Sequence, residues 1–305
     1  MIGDLLKQLA VALPRFVLYQ IRKPFLKAPP KPTEPSRLAA PAPPFEKMSD
    51  SVGLDSFYTS LVPWIPYRND APDTELLADP LYQLWTSYSG GRKWSHYFEI
   101  YQHTFAPIRH KPVRILEIGV HQGSSLKMWR TYFDHPETQV VGIDIEPNCR
   151  SNDAPASGIH VRIGDQTDAD FLKQVISEFG KFDLIIDDGS HVSSHIIASF
   201  NHLFADGLKD SGIYLAEDLH TNYWTGWRDS RKSFFDVCKE LVEHMNGHYQ
   251  RGSYNDFIVL KPSDQPAGAL HVPRIATMIK EVRFFDSIAV IYKARLDKMP
   301  YMVAG

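Results

Sequence analysis

Cysteine is almost missing: Cys149 and Cys238 are the two in 305 residues. Two thiols build neither a disulfide framework nor a thiolate metal centre, and they suit reduced side chains of a cytoplasmic protein. No uncharged apolar run approaches the ~18–20 residues that span a bilayer. Positive charge is not in excess either. The net charge is −3, which gives a nucleic-acid partner no global electrostatic support. The first glycine turn also lacks the G-x-G-x-x-G spacing, since positions 119, 121 and 124 are Gly, His and Ser. A site for the pyrophosphate of a dinucleotide is therefore disfavoured.

What is present is ordinary globular composition, 43% hydrophobic and 23% charged, on a chain long enough for one large core. Charge is spread unevenly. Residues 1–45 hold seven Lys/Arg against two Asp/Glu, a net +5, and the remainder carries −8. Ile2, Leu5, Leu6, Leu9, Leu13, Phe16 and Val17 recur at helical spacing, so residues 1–27 read as an amphipathic helix interrupted by Pro14. Arg15 closes its apolar core too early for a signal peptide. Two roles fit this segment: peripheral contact with a membrane surface through its basic residues, or packing on a partner subunit of a homo-oligomer. Seven prolines in residues 28–45 read as an extended linker. Residues 46–112 have helical and irregular signals, and the catalytic domain is expected over 113–305.

From residue 113 the pattern alternates. "VRILEIG", "QVVGIDI", "IHVRIGD", "FDLIIDD" and "GIYLAED" are short, β-branched and apolar, as strands buried on both faces must be. Helical stretches at 123–133, 168–179 and 192–208 separate most of them, and a longer helix is expected near 229–246. "EVRFFDSIAVIYKA" then reads as an antiparallel hairpin turning at Asp286 and Ser287. The expected fold is α/β: a doubly wound, seven-stranded, mostly parallel sheet with an antiparallel C-terminal hairpin.

Ligands of open α/β sheets sit beyond the carboxyl ends of the strands, and here every one of the first five ends carries an acid. Glu117 precedes the turn formed by Gly119, Gly123 and Ser124. An acid there suits a cationic or amino-bearing ligand better than a phosphate. Asp144 is placed to grip ribose hydroxyls, and Asp165 with Gln166 to read an adenine edge. Asp187 and Asp188 follow the fourth strand, and Glu217 and Asp218 the fifth. Adjacent like charges cost free energy unless something compensates them. Asp188, Glu217 and Asp218 could converge on one Mg2+, which prefers oxygen ligands and would hold and acidify a substrate hydroxyl. His191 is then positioned as general base. A plainer reading of "DDGSH" is a helix N-cap supplied by Ser190 or Asp188. Tyr223, Trp224 and Trp227 in "TNYWTGW" either pack in the core or stack on a sugar. His103, His110, His195, His202, His244 and His248 show no ligand spacing.

Taken together, the strand-end acids resemble the S-adenosylmethionine site of class I methyltransferases. "LEIGVHQGSSLKMW", "GDQTD", "IIDDGSH", "EDLHTNYW" and "RFFDSIAVIYK" resemble, more specifically, the metal-dependent sugar O-methyltransferases of macrolide biosynthesis, of mycinamicin and tylosin type. The likeness spans about residues 88–293. It implies S-adenosyl-L-methionine bound by Glu117, Gly119, Gly123, Ser124, Asp144, Asp165, Gln166 and Asp187. It implies Mg2+ on Asp188, Glu217 and Asp218, with His191 as base and a glycoside or glycolipid as acceptor. "RKWSHYFEIY" matches a lid-like segment of the family, which makes Lys93, His96 and Tyr97 expected contacts of cofactor or substrate. The N-terminal helix, the linker and residues 248–280 depart from the family pattern, and the last of these is expected to shape the acceptor pocket. Catechol-type acceptors, or a non-catalytic cofactor-binding module, are the competing readings.

Overall fold

In the computed structural model, residues 74–247 and 272–296 are described. The amphipathic segment 1–27, the linker 28–45 and most of residues 248–280 lie outside them.

Three helices lead in: α1 (Thr74–Ala78), α2 (Pro80–Thr86) and α3 (Tyr97–Phe105). Strands and helices then alternate through β1 (Arg114–Ile118), α4 (Ser124–Tyr132), β2 (Gln139–Asp144), β3 (Ile159–Ile163) and α5 (Ala169–Phe179). The second half runs β4 (Phe182–Asp187), α6 (Ser193–Leu203), β5 (Leu208–Ala216), α7 (Phe234–Met245), β6 (Ile279–Phe285) and β7 (Ile288–Lys293). The sheet order is β3-β2-β1-β4-β5-β7-β6. β1 to β5 are parallel, while β7 is antiparallel to both β5 and β6. This is the sheet the sequence predicts, hairpin included. The chain steps outward from β1 to β3 and then returns to β4 on the other side of β1. A crevice opens at that reversal, beyond the strand ends.

Strand pleating decides which side chain goes to which layer, because neighbours alternate between faces. Ile115, Leu184, Ile186, Leu215 and Val290 join the aromatic side chains of α3 and α4 on one face. Leu116, Ile185, Tyr214, Ala289 and Ile291 pack under α5, α6 and α7 on the other. Local chemistry sets the helix starts: the Asp168 side chain accepts from the Asp170 and Phe171 amides, and Ser233 with Asp236 forms a reciprocal capping box on α7.

Three boundaries differ from the sequence reading, among them the start of α7 at Phe234 rather than near residue 229. α6 stops at Leu203, and β5 begins at Leu208 rather than near Gly212. Polar Lys209, Asp210 and Ser211 conceal that strand start, which crosses a register shift with Ser211 at φ 72°. The N-cap reading of "DDGSH" is not realised. α6 is preceded by Val192 without a side-chain cap, and Asp229 accepts from the Ser194 amide and hydroxyl instead.

Candidate active site

Alternation splits the acid doublet. Asp187, the last residue of β4, turns to the α6 face, where Tyr214 donates to Oδ2 at 2.9 Å and Gln166 Nε2 to Oδ1 at 3.3 Å. Burial pushes its carboxyl up to about 6, against the hydrogen bond from Tyr214. Gln166 also donates to Ser199 and accepts from the Ser190 amide. Asp187 and Gln166, both expected at a cofactor, are thus buried and hydrogen-bonded within the protein. Asp188 turns the other way, towards α3.

There it joins Glu117 and Glu217, all at strand ends on the α3 face. Lys93 reaches in from the irregular segment before α3, its Nζ 2.7 Å from Asp188 Oδ2 and 2.6 Å from Glu217 Oε2. Burial alone would strip this ammonium of its proton. The Asp188 and Glu217 carboxylates outweigh that cost and hold its pKa above the ordinary lysine value. The other oxygen of Glu217 accepts from Tyr101 at 2.8 Å, and Tyr97 donates to Asp218 Oδ1 at 2.7 Å. Tyr97 and Tyr101 are one turn apart on α3, so a single helix face serves both acids. Glu117 Oε1 accepts from the Trp129 indole at 3.1 Å, while Oε2 is buried without a partner. Burial lifts Glu117 to about 7, with Lys93 opposing.

Beyond these, Asp188, His191 and Asp218 bring one ligand atom each within 4.8 Å of one another. His191 Nε2 stands 3.5 Å from Asp218 Oδ2 and 3.9 Å from Asp188 Oδ1. His191 and Asp218 both adopt left-handed backbone, φ 57° and 54°, a conformation that costs non-glycine residues of order 1 kcal/mol. The Thr221 hydroxyl, donating to the His191 carbonyl at 2.9 Å, ties the two strand-end loops together. The two carboxylates, partly open to solvent, suit the oxygen ligation of a divalent cation, with the imidazole beside them. Glu217, also expected as a ligand, lies outside this trio because both its oxygens are engaged.

The cofactor end of the crevice is built from backbone. Gly119 has φ 96°, and a Cβ there would lie 2.1 Å from the Asp188 carbonyl, so only glycine lets the two loops pass. Asp144 Oδ2 accepts from the Val120 and His121 amides at 2.8 and 3.0 Å, bracing that turn, and Oδ1 accepts from the Glu146 amide. Asp165 turns one oxygen back on the Thr167 amide and hydroxyl. Ser124 donates to the Ser89 carbonyl at 2.6 Å, tying the chain just before the lid-like segment to the start of α4. The unpartnered Glu117 oxygen, aligned with this glycine turn, fits the ammonium end of an amino-acid-bearing cofactor.

An aromatic rim stands beside the acids. His220 Nδ1 lies 2.5 Å from Ser287 Oγ, and its ring sits edge-on to Trp94 and Trp224, at 5.4 and 4.6 Å between centroids. Trp94 and Trp224 are about half exposed. Tyr223 instead turns to Phe235, and His96 Nε2 donates to the Asp286 carbonyl at the hairpin tip. The sequence reading missed Tyr101, Trp129, His220 and Ser287. The Tyr97/Tyr101 spacing was a usable signal for the first. The other three meet the site only through tertiary contact.

No protein-family model matches the chain. It is 37% identical over 170 residues to the 8-demethyl-8-(2-methoxy-alpha-L-rhamnosyl)-tetracenomycin-C 3'-O-methyltransferase of Streptomyces olivaceus, covering 52% of this chain and 42% of that enzyme. It is 39% identical over 134 residues to the mycinamicin VI 2''-O-methyltransferase of Micromonospora griseorubida, covering 42% and 32%. Among solved structures it superposes on the MycE methyltransferase in complex with Mg, SAH and mycinamycin VI, with TM-score 0.57 and 26% identity. That match covers 73% of this chain and 55% of the other. The chain therefore spans about half the length, or less, of the curated relatives it matches. Over that shared part, with the sheet of a class I methyltransferase, it is similar to the sugar O-methyltransferases of macrolide and tetracenomycin pathways.

Proposed function

We propose that this protein moves a methyl group from S-adenosylmethionine to a sugar hydroxyl on a glycosylated natural product or glycolipid, assisted by Mg2+. The observation that carries this is the Asp188, His191 and Asp218 cluster, set beside the braced glycine turn at the sheet's switch point. The relatives' names supply the acceptor class.

Each part of the crevice has a task. Glu117 offers its free oxygen to the cofactor's amino group, and the Gly119–Gly123 turn lets the cofactor approach the backbone closely. Asp144 shapes that turn and would grip the cofactor's ribose hydroxyls. Asp188 and Asp218 would hold the cation, which when bound supplies a Lewis acid that orients acceptor oxygens and makes a hydroxyl easier to deprotonate. His191 Nε2, facing the space between the two acids, would take the acceptor's proton as the acceptor oxygen displaces S-adenosylhomocysteine from the methyl carbon, the carbon–sulfur bond breaking as the carbon–oxygen bond forms. Trp94 and Trp224 present faces on which the C–H side of a sugar ring can stack. Lys93 and Tyr97 hold one oxygen each of Asp188 and Asp218.

Methyl transfer from labelled cofactor to a panel of glycosides, with and without chelator, tests this reading. Turnover should vanish with chelator and return with Mg2+, while cofactor affinity stays nearly constant. Full activity in excess chelator would remove the metal. Transfer to catechols but not to glycosides would replace the acceptor class.

A further inference from the structure

Lys93 has a more exact position than a lid contact requires. Its side chain is 3% exposed and makes short ion pairs with two acids from two different strand ends. Both flanks of its segment are tied down: Ser89 accepts from Ser124, and Tyr97 donates to Asp218. The two oxygens of Asp188 therefore face different neighbours, Oδ2 the ammonium and Oδ1 the imidazole of His191. Glu217, 1% exposed in its side chain, has one oxygen on Lys93 and the other on Tyr101. With Glu117 close by, uncompensated acids here would repel one another strongly in a low-dielectric interior.

We propose that Lys93 is a positioning residue that divides the acid cluster in two. Its ammonium holds Glu217 and one oxygen of Asp188 as a permanent internal ion pair. The second oxygen of Asp188, with Asp218, is left facing the crevice for a divalent cation. The lysine thus aims Asp188 and withdraws Glu217 from ligation, without touching substrate. The cation half of this inference rests on the proposed function; the ion-pair half does not.

Two measurements on the full chain separate the halves. The first is a thermal melting cycle of Lys93→Met, Glu217→Gln and the double variant, without metal. Lys93→Met strands the buried Glu217 carboxylate next to the partly exposed Asp188 and should lower the melting temperature by about 10 °C or more. Adding Glu217→Gln should recover much of that loss. If Lys93→Met does not fold at all, a folded double variant supports the proposal equally. A double variant no more stable than Lys93→Met overturns it. The second is calorimetry with Mn2+ as probe. Asp218→Asn should weaken binding at least about tenfold more than Glu217→Gln does. Equal losses would make Glu217 a ligand and overturn the division. No Mn2+ binding to the unaltered protein would refute the metal reading of the function, and the melting cycle would still judge the ion pair.

Discussion

At the scale of single residues, three carboxyls at the ends of two neighbouring strands do three different things. Asp187 braces Tyr214, Asp188 faces the crevice, and Glu117 sits buried with one free oxygen. Environment sets the roles. Glu117 makes this measurable through pH. Its carboxyl titrates near 4.5 in an unfolded chain and near 7 in the folded one. Between those values the unfolded chain gives up the proton while the folded protein keeps it, so stability from this group falls as pH rises. The loss is about 3 kcal/mol across the window. Glu117→Gln, which cannot ionise, should gain on the wild type by roughly that amount between pH 4.5 and 7.5 in urea melts. A constant difference would show that the carboxyl is not perturbed. His191 has a kinetic signature instead. His191→Ala should lower the chemical rate by about 10²–10⁴-fold, with residual rate rising with pH as hydroxide replaces the base. Cofactor affinity should hardly move, and a rate within threefold of wild type would exclude His191 as the base.

At the scale of elements, the site depends on loops passing close to one another. The β1–α4 turn runs beneath the loop after β4, and a methyl at position 119 would meet the Asp188 carbonyl at 2.1 Å with φ at 96°. Gly119→Ala should therefore destabilise by more than about 2 kcal/mol and displace Asp188 together with the turn that Asp144 braces. Denaturant melts and cofactor calorimetry would read both effects; an unaltered melt would mean that the loops can move apart cheaply. Asp144→Ala removes the acceptor of two amides of the same turn and should cost roughly 1–3 kcal/mol of cofactor affinity. Most elements were legible beforehand, since β-branched runs and helical spacing carry their own signal. The early start of β5 was not, because Lys209 and Asp210 look like loop residues and only the long-range pairing of Leu208 with Phe182, across a register shift, starts the strand there.

At the scale of the whole molecule, no helix among the described residues is long and apolar enough to cross a membrane. The basic amphipathic segment 1–27 remains a proposal drawn from its periodicity and charge. On a short soluble glycoside, deletion of residues 1–45 should leave turnover unchanged. At an anionic vesicle surface or on a glycolipid acceptor, the same deletion should weaken binding and turnover. Vesicle flotation distinguishes the readings, and equal flotation of full-length and truncated protein would favour subunit contact.

Sequence alone determined the layer order, the hairpin and the strand-end positions of the acids. These follow from periodicity and turn chemistry, which act over a few residues and leave their mark in the residues themselves. The partners of those acids were decided by tertiary structure. Lys93 meets Asp188 and Glu217 across 95 and 124 residues of chain. Asp187 and Asp188, adjacent in sequence, part company because a strand's pleat sends neighbours to opposite layers. Which layer holds the crevice depends on where α3 packs, and only burial of its aromatic face against the folded sheet settles that.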